Sequence, residues 1–275
     1  MKGFFSALWA EALKVRRSKV PIFTTLGFAL IPLIDGLFMI ILKDPEAARS
    51  MGLITTKAQL VAGVADWPTF FSILAQGVAV GGAILFAIIT AWVFGREFTE
   101  RTAKELLALP TSREAIIAAK FVVIVVWTLA LSLFVFALGL LIGTLVSIPG
   151  WSAPLLRTGF ADAIGSALLT IGLLSFVALL ASIGRGELLP IGWTVFTVVL
   201  AQIAAITGWG DWFPWAVPAL YSGAAGARSE LIGLHSYIIV SIASLVGVAA
   251  TFYWWRHADQ TRYRSENSPS CGDTM

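Results

Sequence analysis

Six stretches of twenty or more predominantly apolar residues, near 20–42, 70–94, 119–147, 160–183, 188–207 and 232–255, constrain this chain more than any other feature. About 20 helical residues cross a hydrocarbon core of roughly 30 Å. Inside that core every backbone polar group must find its partner within the protein, which favours helices. The pattern therefore predicts an all-α integral membrane protein with six transmembrane helices. Composition agrees: 58% of residues are hydrophobic and 13% charged, against about 45–50% and 25% in soluble domains. A soluble globular domain, a disordered chain and a nucleic-acid binder are excluded. The third stretch is long enough that it must tilt or extend beyond the hydrocarbon. The fourth and fifth are separated only by Gly184-Arg185-Gly186-Glu187, which reads as a tight turn with a local Arg185–Glu187 ion pair.

Residues 1–19 are not a span. Phe4, Phe5, Leu8, Trp9 and Ala12 fall on one helical face, while Lys2, Glu11, Lys14, Arg17 and Lys19 are mostly off it. A basic helix with an aromatic face lies in the membrane interface. No small-residue cleavage site follows the first apolar run, so the segment reads as retained. Residues 20–256 form the membrane domain, and 257–275 read as a polar cytoplasmic tail.

Orientation follows the distribution of Lys and Arg. With the N-terminus inside, the inner segments hold fourteen: five in 2–19, five in 96–120, Arg185, and Arg256, Arg262 and Arg264. The outer segments hold five: Lys43, Arg49, Lys57, Arg157 and Arg228. Both termini are expected in the cytoplasm, with the protein multi-pass in a bacterial-type cytoplasmic (inner) membrane.

The most informative polar stretch is 94–120, FGREFTERTAKELLALPTSREAIIAAK. Glu97/Arg101 and Glu100/Lys104 are spaced i,i+4, which supports a solvent-exposed helix. Leu106 and Leu107 give it an apolar end, and Pro110 stops it. Thr111 and Glu114 match a capping box that starts a new helix running into the third span. A helix, a break and a cap with an apolar pair is the layout of a docking surface for a cytoplasmic protein.

This run resembles the cytoplasmic signature of the type-2 ABC exporter permeases (ABC-2 type). That signature has an acidic residue, a Gly-Thr or Arg-Thr pair, a Leu-Leu pair, Pro-x-Ser-Arg and a lysine before the third span. Here these fall on Glu97, Glu100, Arg101-Thr102, Leu106-Leu107, Pro110, Ser112, Arg113 and Lys120. Arg101 stands where many members carry glycine. The AEALKVRRSK segment resembles the family's N-terminal connecting helix. The resemblance implies a six-span permease that pairs with a second permease copy or a homologous permease. It also implies two ATP-binding cassette ATPase subunits on separate chains, which would bind ATP and Mg. Arg96 to Lys120, the coupling segment 95–120, would receive the ATPases' movement. The chain carries no G-x-x-x-x-G-K-[ST] phosphate loop of its own, so it is expected to bind no cofactor and to catalyse nothing by itself.

Ionisable groups inside spans cost about 2.5–3.5 kcal/mol at the centre on insertion scales, so those present are informative. Asp35 lies some fifteen residues into the first span, roughly 22 Å from its inner end. Gln76, Gln202 and Asp162 fall at a similar outer depth. They line either an outward-opening vestibule or an interhelical polar layer that only supports packing. The outer loop 208–231 gathers Trp209, Trp212, Phe213, Trp215 and Tyr221 with Pro214 and Pro218. An aromatic belt at the interface accounts for it; the family resemblance implies instead short re-entrant helices closing a translocation path. Asp35, Gln76, Asp162, Gln202, Trp212 and Trp215 are the candidates for that path. Gly77-x-x-x-Gly81 and Gly139-x-x-x-Gly143 match helix-packing motifs.

Enzymatic constellations are missing from the sequence. His235 and His257 are far apart, Cys271 is the sole cysteine, and no metal-ligand spacing occurs. A secondary transporter or channel without an ATPase partner is the alternative, but such proteins carry coupling residues near the midplane. The apolar interior points to a hydrophobic or amphipathic cargo, such as a peptide antibiotic, drug or lipid, and no residue selects among these.

Overall fold

The computed structural model describes residues 2–44, 46, 52, 64–102, 105, 111–223 and 232–257. Among them every regular element is helical. The expected six spans are all present. α1 (Lys2–Arg17) precedes the first span, α2 (Val20–Lys43). The second span is α3 (Trp67–Gln76), a π-helical turn (Gly77–Gly81) and α4 (Gly82–Thr99). The third, fourth and fifth are α5 (Arg113–Leu145), α6 (Ala153–Ile183) and α7 (Leu188–Ile206). A short 3-10 turn (Gly210–Trp212) and α8 (Val217–Tyr221) precede the sixth span, α9 (Leu234–His257).

The fourth span is the centre of the bundle, lying against the second, third, fifth and sixth. Trp67, Phe70, Phe71, Leu74, Phe86 and Phe94 of the second span fill the core beside it. Gly139-x-x-x-Gly143 is a close approach at both glycines, and Gly77-x-x-x-Gly81 at its first. Side chains at Gly139 and Gly143 would collide with Leu74 and Trp67, and one at Gly77 with Ile31. The first, fifth and sixth spans leave most of their surface uncovered, the first exposing Phe23, Leu26, Leu30 and Leu33.

The third span begins earlier than its apolar stretch. Its 33 residues run about 50 Å at the α-helical rise, so it outreaches the hydrocarbon core, as its length demanded. Its cap is Ser112 rather than Thr111. Ser112 takes the extended backbone a cap needs, and its hydroxyl accepts the Ala115 N–H at 3.3 Å. Glu114, freed from a capping box, pairs with Arg256 of the sixth span at 2.6 Å. Residues 184–187 form the expected tight turn, but no ion pair joins Arg185 to Glu187. Arg185 adopts a left-handed φ of 50°, and Glu187 lies against the second span where Gly95 leaves room for it.

The even number of spans brings α1 and the end of the sixth span to one end of the bundle, here termed the basic end. The 3-10 turn and α8 sit at the other, the aromatic end. There Lys43 Nζ donates to the carbonyls of Val146 and Ser147. It places a cation at the C-terminus of the third-span helix, where the helix dipole favours one.

Candidate functional site

At the basic end, α1 is fastened to the start of the third span. Phe4, Ala7 and Leu8 pack on Ile116 and Ala119. The apolar stripe read from the sequence is thus divided: Phe4 and Leu8 face the bundle, while Phe5 and Trp9 are exposed. A period of 3.6 defines a face, but this helix is wide enough to use two parts of it.

One turn on, the same side of α1 presents Glu11 and Lys14 to a buried cluster of charges. Lys120 Nζ, fully buried, donates to Glu97 Oε1 at 2.7 Å, to Glu11 Oε2 at 3.3 Å and to the Val93 carbonyl at 2.6 Å. Lys14 Nζ donates to Glu11 Oε1 at 2.6 Å and to Glu97 Oε1 at 3.0 Å. Two acids and two bases from three elements therefore balance one another. The arrangement suits burial, because an ammonium taken from water without a counter-charge is prohibitively costly. Burial alone would lower the Lys14 pKa, but the Glu97 and Glu11 carboxylates outweigh it and hold the ammonium above its ordinary value.

Glu97 therefore does not occupy the exposed position expected from its spacing to Arg101. It turns inward because Lys120 requires it. The i,i+4 pair that forms here is Arg96–Glu100, at 3.2 Å, with the Arg96 guanidinium 4.7 Å from the Trp92 ring centroid. The helix ends at Thr99, and Arg101 adopts a left-handed φ of 61°. That left-handed conformation favours glycine, the residue many members carry at this position. Thr102 follows, half-buried. Leu106, Leu107 and Pro110, like Lys104, lie outside the described residues. Arg113 donates to the Trp255 carbonyl at 3.2 Å, and with Arg256–Glu114 this binds the end of the sixth span to the beginning of the third.

Glu11, Lys14 and Lys120 as an interacting set escaped sequence reasoning. The signal was there: a single acid in an otherwise basic helix, and a lysine inside an apolar run.

The aromatic end is built differently. Asp35 is buried against Gly77, and its Oδ2 has no hydrogen-bond partner among the described residues. Gln76 donates to Ser72 Oγ at 3.2 Å, and Ser72 Oγ to the Ser222 carbonyl at 3.4 Å. Gln202 is exposed on the fifth span, and Asp162 is half-buried on the fourth. Asp35, Gln76 and Gln202 are not hydrogen-bonded to one another, so these three do not make one continuous layer. Gln202 and Trp215 line a cleft between the second, fourth and fifth spans; Asp35, Gln76, Asp162 and Trp212 are not in its walls.

The loop forming the end of that cleft is inserted into the bundle. Ala216 and Val217 are fully buried, and Leu220 nearly so. Trp215 is held among Phe176, Phe213 and Trp193, with ring centroids 5.4, 5.5 and 5.8 Å away. Trp212 is exposed and stacks on His235 at 4.6 Å. His235 Nε2 lies 3.1 Å from Asp211 Oδ2, and Ser236 Oγ donates to the Asp211 carbonyl at 2.8 Å. These contacts fix the 3-10 turn to the start of the sixth span.

Comparison with known proteins places this architecture. Residues 7–201 match the family described as ABC-2 family transporter protein. The bacitracin transport permease protein BCRB of Bacillus licheniformis is 31% identical over 185 residues, covering 65% of this chain and 85% of the relative. No solved structure gives a significant match.

Proposed function

The chain belongs to the ABC-2 transporter family as a multi-pass membrane permease subunit, and from that premise we propose that it moves its cargo outward using ATP hydrolysed by two separate ATPase chains. ATP and Mg belong to those chains. The basic end faces the cytoplasm, in keeping with the distribution of Lys and Arg. Residues 95–120, with Arg96, Glu97, Glu100, Arg101, Thr102, Leu106, Leu107, Pro110, Ser112 and Arg113, receive the ATPase's movement, and a second permease copy completes the path.

The observation that carries this reading is the Glu11–Lys14–Glu97–Lys120 cluster, buried except at Lys14. It joins α1, the end of the second span and the start of the third into one stiff body at the two ends of the coupling segment. A force applied to that segment is delivered to two spans at once, because none of the three elements can shift without separating buried opposite charges. A plain interhelical loop has no need of such a joint.

For cargo, the apolar bundle and the likeness to a bacitracin transport permease favour an amphipathic peptide antibiotic over an ion. The test is co-purification of the tagged chain from its native host in mild detergent. A stoichiometric phosphate-loop ATPase, lost on charge reversal of the exposed Glu100, is the expected result. A clean oligomer with no ATPase overturns the proposal in favour of a secondary transporter or channel.

A further inference from the structure

The cleft between the second, fourth and fifth spans has a shape and chemistry of its own. Its wall on the fifth span runs from Thr194 to Gln202, about 12 Å at the α-helical rise. That is most of one leaflet's share of a roughly 30 Å hydrocarbon core. The cleft lies along the spans. On the second span the wall is made of Ala79, Val80 and Ala83, in and just after the π-helical turn. Larger side chains there would close it. Trp215, packed among three other rings that include Trp193 beside Thr194, forms an apolar plate toward the deep, Thr194 end of the cleft.

The polar atoms in the walls are mostly engaged already. The hydroxyls of Thr170, Thr194 and Thr197 donate to Ser166, Pro190 and Thr194 carbonyls of their own helices. The exposed amide of Gln202 is the polar group at the mouth. A compact polar ligand would give up its hydration here without recovering hydrogen bonds, and water has too few partners to fill such a space stably.

We propose that this cleft is a binding site for one hydrocarbon chain of an amphiphile, seated against Trp215 with its polar end at Gln202. A tail of the surrounding phospholipid and the tail of a single-chain amphiphilic cargo share this chemistry. That the site belongs to the cargo path rests on the permease reading; that it binds a chain does not.

The test uses the full chain in phospholipid vesicles with two photoactivatable probes. One is a phosphatidylcholine with a diazirine in its acyl chain, the other a single-chain alkyl ammonium carrying the same group. After irradiation, labelled residues are mapped by mass spectrometry. The expected result is label on Val198, Ala201 and Trp215, reduced at least fivefold in Ala83→Phe, with label on the exposed Leu245 of the sixth span unchanged. Gln202→Ala, at an exposed position that leaves packing intact, should weaken competition by unlabelled alkyl ammonium about fivefold, the worth of one hydrogen bond. Cleft labelling by the phosphatidylcholine probe makes the occupant bilayer lipid; labelling by the ammonium probe alone makes it a cargo-like amphiphile. Label confined to Leu245 and the exposed first span, or cleft label equal in Ala83→Phe, overturns the proposal. Co-purification of an ATPase is read separately, so failure of the permease reading and failure of the site are told apart.

Discussion

The two ends of the bundle handle polar groups in opposite ways. At the basic end four charges are gathered together, three of them buried and Lys14 partly exposed, each within 3.3 Å of an opposite charge. At the aromatic end the polar groups within the spans stay apart: Asp35 makes no ion pair among the described residues, Gln76 bonds within its own helix, and Gln202 is exposed, while the pair that does form, His235–Asp211, is half-exposed. Paired charges in a dry place have one good arrangement and penalise every departure from it. Rings and small side chains have many arrangements of similar energy. The first construction transmits displacement; the second tolerates it. A permease pushed at the basic end and opening at the aromatic end, as proposed above, needs both.

The sharpest way to break the comparison is Lys120→Met. It leaves Glu97 and Glu11 buried with one cation between them, at a cost of about 3–5 kcal/mol. We expect a large fall in folded yield and in detergent Tm, partly reversed by the double variant Lys120→Met/Glu97→Gln. Next is Gly143→Leu, which drives a side chain into the Trp67 indole and should cost about 1–3 kcal/mol as overpacking, read as a Tm shift with α1 unaffected. At the aromatic end the sign should reverse. Asp35→Asn removes the charge from a buried group that makes no ion pair among the described residues, so stability should hold or rise by up to about 1 kcal/mol. Transport retained alongside makes Asp35 a bystander, and transport lost in a stable variant places it on the path. The smallest effect is His235→Ala, which removes a half-exposed pair with Asp211 and should cost about 0.2–1 kcal/mol, seen as faster proteolysis of the 208–231 loop.

A pH series sharpens the same contrast. The Lys14 pKa is raised in the folded protein, so its contribution to stability is complete below the ordinary lysine value and disappears only as pH rises through the higher folded one. The difference in Tm between the parent and Lys14→Met should therefore be constant from neutral pH to about 10 and shrink above it.

Spans were legible because a bilayer sets a length that a run of apolar residues either meets or does not. The position of the turn at 184–187 was legible for the same reason. Partnership was not. The spacing of Glu97 to Arg101 is correct for an exposed pair, but spacing along one helix says nothing about Lys120 arriving from another. Thr111 and Ser112 both suit a cap, and one residue of register decides which backbone is extended. The stripe on α1 was visible, yet its division between the bundle and the exposed side depends on where the third span begins. At Arg101 the family pattern carried the information: a site for glycine is a site for a left-handed φ, and the chain adopts it with arginine.

The charge cluster also has a direction in time. Glu11, Lys14 and Glu97 all precede Lys120 in the chain, so on the ribosome its counter-charges are made before the lysine that needs them. Synthesis runs from the N-terminus, and early elements can organise before later ones emerge. The order of synthesis thus allows the third span to meet α1 and the second span already in place, and a cation that would hinder an isolated segment can then serve as the latch that seats it. On this account, deleting α1 lowers insertion of the third span before it affects transport.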